Sequence, residues 1–351
     1  MWSCPPSSVE HFLTNTNFDK PLVIIAIKDM LDGWAEFDYW NDKQQMLVKK
    51  INDVAIKYPN TQFVFFTSLE KLDLELQSAN IEIVCVGGDI VNQKNSYPLL
   101  EPVLDKNFDS NRCFISLNRN RRDHRIVTLS YLFGRGFDQH GTITFLKNSP
   151  NTVQPAEFLD RICWQFDQPR HNDIRDAMIE GYQRLQNFNP ADSDQFDIYG
   201  NYINNNFRNF NQSLRSRYRS SFVEIVSESS CCAPSFNVTE KTANAFYGCN
   251  FPIFVGGQGI VQHLRDLGLD VYDDIVDHSY DTISNPFDRI TQAIDCNAQL
   301  LTDVNYVKQI WKKNQHRFMD NIHKIKTIYQ WYDVRVTNQW QQVAQKLCVT
   351  S

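Results

Sequence analysis

The sequence predicts an α/β protein: two Rossmann-like domains facing a cleft, with long helices at the C-terminus. Three observations carry that reading. Short continuous apolar runs alternate with helical stretches up to Phe145, a second strand–helix alternation begins at Ser221, and a polar segment separates the two. Such runs are strands buried on both faces, and their alternation with helices implies parallel sheets.

Each element follows in order. Leu22–Ile27 is the first apolar run, followed by a helix near Gln44–Tyr58 with Met46, Leu47, Ile51, Val54 and Ala55 on one face. Phe63–Phe66, Ile81–Val86, Cys113–Leu117 and Thr142–Phe145 are further strands, with a helix over about Arg122–Phe133. The segment from about Pro150 to Tyr218 is rich in Asn, Gln, Asp and Arg and reads as a linker or helical insertion, with helices near Ala156–Phe166 and Ile174–Leu185. Phe222–Val226 and Pro252–Val255 are strands of the second unit, and a helix opens at Thr239 between them. Beyond Val304, the residues Trp311, Phe318, Ile322, Ile325, Ile328, Tyr329 and Trp331 recur mostly three and four apart, the spacing of a helical core stripe. The expected domains are 1–150 (acceptor side), 151–218 (linker), 219–320 (nucleotide-sugar side) and 321–351, helices packing back on the first domain.

Composition narrows the function. With 351 residues, 42% hydrophobic and 22% charged, the chain can bury two cores. A formal charge of −6 gives no general attraction for nucleic acid or anionic membranes. The nine cysteines follow no zinc-site or disulfide spacing, so reduced, buried thiols are expected. No apolar stretch is long enough to span a bilayer and no basic-then-apolar leader is visible near Met1, so the expectation is a cytoplasmic protein (host cytoplasm if viral) without a membrane span.

Chemistry concentrates in two places. After the strand ending at Ser227-Glu228, Thr239 is placed to cap a helix whose first turn carries Glu240 and Lys241. Free N–H groups and the dipole of a helix start attract phosphate. Lys241 can neutralise a diphosphate, and Glu240 can accept hydrogen bonds from both hydroxyls of a ribose. The same three residues also fit plain capping with solvated charge. Gly256-Gly-Gln-Gly259, with Gly257 inside it, lets the backbone approach a ligand closely. The second place is Phe114–Arg125, where Arg119, Arg121, Arg122, His124 and Arg125 follow a strand and open a helix. Positive charge opposes the dipole there, and an anion would relieve it.

These residues resemble the donor-binding half of fucosyltransferase-like enzymes: a strand ending in Ser-Glu, a loop, Thr239-Glu-Lys241, a helix, then Pro252-Ile-Phe-Val-Gly256. The likeness spans about Phe222–Ile290, more faintly Cys113–Phe145, and the stretch Gly259–Asp281 is also similar to a group of phage and giant-virus proteins with glycosyltransferase-like ends. The resemblance implies a GT-B fold and transfer of a sugar from a UDP- or GDP-linked nucleotide sugar, with a glycan or modified nucleobase as acceptor. It implies that Glu228, Asn237, Thr239, Glu240, Lys241 and Gly257 line the donor site, and that Arg125, then Arg122, reaches the diphosphate. Asn237 stands where the family often has an aromatic residue against the base, with Phe236 beside it, which leaves the base open.

An inverting transfer needs a base for the acceptor hydroxyl. In this architecture it follows the first strand, and Asp29 is the first candidate among Asp29, Asp32, Glu36, Asp38 and Asp89. HExxH, EF-hand, P-loop and dinucleotide fingerprints are absent, so metal-independent chemistry without a cofactor is expected, with leaving-group charge stabilised by Arg, Lys and helix dipoles. A non-catalytic binding or structural protein on the same fold is the alternative.

Overall fold

The computed structural model describes residues 2–4, 22–27, 49–67, 78–85, 100–118, 122–145, 171–188, 214–228, 231 and 238–349. Within them the protein is mixed α/β, with two four-stranded sheets, each parallel throughout. The first sheet runs β1 (Trp2–Cys4), β2 (Leu22–Ile27), β3 (Gln62–Thr67) and β4 (Ile81–Cys85) in spatial as well as chain order. Helix α1, at residues 49–57, buries Ile51 and Ala55, two of the positions expected on its apolar face. Strand β1 pairs Trp2 with Ile25, a strand that the sequence does not predict because the segment is short and followed by prolines.

The second sheet contains β5 (Phe114–Asn118), β6 (Gly141–Phe145), β7 (Val223–Ser227) and β8 (Phe251–Val255) in the order β6-β5-β7-β8. Strands on either side of residue 150 therefore share one sheet, and the division expected there runs through it. The separation between sheets falls between β4 and β5. The apolar runs alone could not reveal this, because a parallel strand reads the same whichever sheet it joins.

Helix α2 (Asp123–Gly134) packs on α3 (Asn172–Asn187), which belongs to the segment expected as linker or helical insertion. Their backbones touch: a Cβ on Gly181 would lie 1.7 Å from the Ser130 oxygen, and one on Gly134 would lie 1.9 Å from the Ala177 oxygen. The helix expected near 156–166 lies outside the described residues. Helix α4 (Arg215–Arg219) leads into β7, α5 (Glu240–Tyr247) joins β7 to β8, and α6 (Ile260–Asp266) follows β8. Then come α7 (Pro286–Asp295), α8 (Ala298–Thr302), α9 (Val304–Lys313) and α10 (Gln315–Val349).

Aromatic residues build the core between the second sheet and the last helices. Trp311 stacks on Phe318 at 5.6 Å, and Phe318 meets Phe251 and Tyr272, each at 5.2 Å. The Trp311 indole donates to the Cys249 oxygen at 2.6 Å. Phe318, Ile322, Ile325 and Ile328 are buried, as the three-and-four spacing predicts. Further along α10, Val343 packs with Val64 and Val84 of the first sheet. At the amino ends of β7 and β8, the buried Lys106 ammonium donates to the oxygens of Tyr218, Ser221 and Gly248 and to Asn250 Oδ1, at 2.6–2.8 Å. No helix among the described residues is long and apolar enough to cross a membrane. Cys113, Cys231 and Cys249 are buried free thiols, and Cys296 is a partly buried one.

Candidate functional site

The order β6-β5-β7-β8 sets the position of the site. From β5 the chain moves outward to β6 in one direction, and from β7 to β8 in the other. Open parallel sheets bind ligands in the crevice at such a reversal, beyond the carboxyl ends of the strands. Residues from β5 and β7 pair only at Phe114↔Val223 and Ile115↔Glu224, whereas β7 and β8 pair along five positions. The carboxyl ends of β5 and β7 thus lie beyond their shared ladder, and side chains from α2 reach the β7 end.

Arg122 is the extended N-cap of α2, and Asp123, His124 and Arg125 form its buried first turn. His124 Nε2 lies 2.9 Å from the main-chain oxygen of Glu228, which fixes Nε2 as the protonated nitrogen. Arg125 Nη2 lies 3.4 Å from the oxygens of both Ser227 and Glu228. Burial first, then the charges of Arg125 and Arg122, holds the His124 pKa well below the usual histidine range. Its imidazole is therefore neutral at pH 7, and the positive charge of this turn belongs to the arginines.

Across the reversal, Thr239 caps α5 by accepting from the Lys241 N–H at 3.3 Å, as the sequence predicts. Lys241 Nζ lies 2.9 Å from Glu240 Oε1 and 3.2 Å from Thr239 Oγ1, and both charged side chains keep about a fifth of their surface exposed. Burial acts to raise the Glu240 pKa, but the charge and hydrogen bond of Lys241, with a contribution from Arg125, bring it below the usual carboxylate value. Glu240 is thus an ionised acceptor at neutral pH, within electrostatic reach of both helix starts.

Glu228 occupies a different position from the one the resemblance implies. It is fully buried, and its carboxylate accepts from Thr239 N at 3.2 Å, Thr239 Oγ1 at 2.5 Å and Thr242 Oγ1 at 2.5 Å. Those bonds direct it toward the protein's own helix rather than outward to a ligand. Gly257 is buried just past β8, next to Gly256, whose hypothetical Cβ would stand 3.6 Å from Glu228 Cβ. The adjoining helix start is already occupied: Asp281 Oδ1 and Oδ2 accept from Val261 N at 3.2 Å and Gln262 N at 3.1 Å. Gly259, at φ +83°, provides the left-handed turn into that helix. Asp29, Asn237, Phe236, Arg119 and Arg121 lie outside the described residues, as do Asp32, Glu36, Asp38 and Asp89.

Two further residues support the site. Arg289 is buried and donates to the oxygens of Gly256, Ile283, Ser284 and Cys231, tying the turn after β8 to the segment after β7. Asp281 is the second. Neither carries a local signal, because an Arg or Asp in a polar stretch reads as solvated until its partners are placed. The acidic run after α6 also resolves into ion pairs: Arg265 holds Asp273, and Arg317 holds Asp270 and Asp274.

Comparison with protein-family models, with curated proteins and with solved structures finds no match to this chain.

Proposed function

We propose that the chain is a GT-B-like, nucleotide-sugar-dependent glycosyltransferase, with two Rossmann-like domains facing a cleft. The observation that carries the reading is the meeting of two helix starts at the β5/β7 reversal, one bearing Arg122 and Arg125, the other Thr239, Glu240 and Lys241. A helix start carrying Arg122 and Arg125 beside one carrying Lys241 suits a diphosphate, because backbone N–H groups and fixed positive charge can act on the same oxygens. An ionised carboxylate beside them suits the two hydroxyls of a ribose. The contact of Val343 with Val64 and Val84 supports α10 as the link between the two sheets.

In this reading Glu240 holds the ribose of a UDP- or GDP-linked sugar, while Lys241 and Arg125, with Arg122, hold the diphosphate. Gly257 lets the backbone lie close to the donor, and the base is assigned to Asn237 from the resemblance alone. Asp29 takes the acceptor hydroxyl proton as the new bond forms at the anomeric carbon and the bond from that carbon to the phosphate oxygen breaks. The nucleoside diphosphate leaves with the electron pair, and the configuration inverts. The acceptor is a glycan or a modified nucleobase.

Incubation with UDP- and GDP-sugars tests the reading. Slow release of one nucleoside diphosphate is expected, abolished in Lys241→Ala and reduced in Asp29→Asn. Release unchanged in Lys241→Ala, or none from any donor, would count against it.

A further inference from the structure

Thr239 has one hydroxyl proton and three neighbours. Its Oγ1 lies 2.5 Å from Glu228 Oε2, 3.3 Å from Lys241 N and 3.2 Å from Lys241 Nζ. Both Lys241 groups can only donate, so the hydroxyl must give its proton to Glu228 and turn its lone pairs toward Lys241. A relay results in which each donor polarises the next, from the Lys241 ammonium through the Thr239 hydroxyl to the Glu228 carboxylate. Glu228 Oε1 fixes the same helix turn from beneath, taking Thr239 N and Thr242 Oγ1. Its main-chain oxygen meanwhile takes His124 Nε2 and lies 3.4 Å from Arg125 Nη2. One fully buried residue therefore bonds to both helix starts.

We propose that Glu228 is a positioning residue: by dictating the direction of the Thr239 hydroxyl it seats Lys241, and through its main chain it sets Arg125 against the same anion. The inference rests on the diphosphate reading above and assigns Glu228 no contact with the ligand. Its consequence is specific to charge. A glutamine of the same shape keeps Oε1 for Thr239 N and Thr242 but presents an N–H donor to Thr239 Oγ1. The hydroxyl proton then loses its acceptor, because Lys241 N and Nζ can only donate, and the relay is broken.

The test is calorimetric titration of GDP and UDP into the wild type, Glu228→Gln, Lys241→Ala and the double variant. The expected result is binding weakened about tenfold in Glu228→Gln, as for loss of a charge-assisted hydrogen bond, and a double variant no weaker than Lys241→Ala alone. Thr242→Val, which removes a single donor to Glu228, covers the case in which Glu228→Gln does not fold. It is expected to weaken binding a few-fold, again with no further loss in the Lys241→Ala background. Wild-type affinity in Glu228→Gln overturns the proposal, as does a loss that adds in full to that of Lys241→Ala. Binding of neither nucleotide to the wild type removes the diphosphate reading and this inference together, whereas binding lost in Lys241→Ala alone removes only the inference.

Discussion

His124 Nε2 stands 2.9 Å from the main-chain oxygen of Glu228, so the first turn of α2 is bonded to the carboxyl end of β7. Burial and the charges of Arg125 and Arg122 keep the ring neutral there, although the bond to Glu228 on its own favours the charged form. The folded protein thus binds less proton on His124 below pH 6.5 than the unfolded chain does, and stability attributable to this site falls as pH falls. Relative to His124→Gln, the wild type should lose up to about 1.4 kcal/mol for each pH unit below 6.5. Urea unfolding at pH 7, 6 and 5 measures the difference; a constant difference would contradict the assignment.

Glu224 has the opposite sign. Burial raises its pKa to about 8, against the Tyr218 hydrogen bond and the Lys106 charge. Between the unfolded value of 4.5 and about 8, the folded state holds a proton that the unfolded state releases, so stability from this group declines as pH rises. Glu224→Gln should flatten that decline. Thermal unfolding of both proteins from pH 5 to pH 8 checks this: the wild-type midpoint should fall relative to that of Glu224→Gln as pH rises.

Lys106 satisfies four buried oxygens and lies 5.7 Å from the centre of the Trp311 ring. Lys106→Met strands those acceptors and should cost about 3 kcal/mol, since losing one partner of a buried charged network leaves the rest desolvated. A lower urea midpoint with an unchanged denaturant slope is the expected signature.

Gly181 allows α2 and α3 to touch, and a Cβ there would also lie 2.5 Å from Gly134 N. Gly181→Ala must push the helices apart, at about 2 kcal/mol or more. Because α2 carries Arg125, nucleotide binding should weaken with stability. Retention of both would mean that the close approach is dispensable.

How much of this was legible in the sequence depends on the range of the signal. Strand runs such as Phe222–Val226, the Thr239 cap and the stripe from Trp311 to Ile328 are written in local periodicity and hydrogen-bonding chemistry. All of them recur in the structure. Sheet membership is not local, so nothing in the residues of β5 and β6 reveals that they share a sheet with β7 and β8. The same limit applies at the site. Glu240 and Lys241 stand out because they open a helix, but the burial of Glu228 beneath Thr239 and Thr242 depends on residues eleven and fourteen positions away. Arg289, bonded to Cys231 across 58 positions, is further still from anything a sequence pattern reveals.

The central claim is that the helix start at Thr239–Lys241 and that at Arg122–Arg125 receive one nucleoside diphosphate. Calorimetric titration of UDP, GDP, ADP and CMP into the wild type, Glu240→Ala and Lys241→Ala tests it most directly. The account predicts selective binding of UDP or GDP that is weakened in both variants. Folded wild-type protein that binds none of the four at millimolar concentration, or binding undiminished by both substitutions, would contradict it.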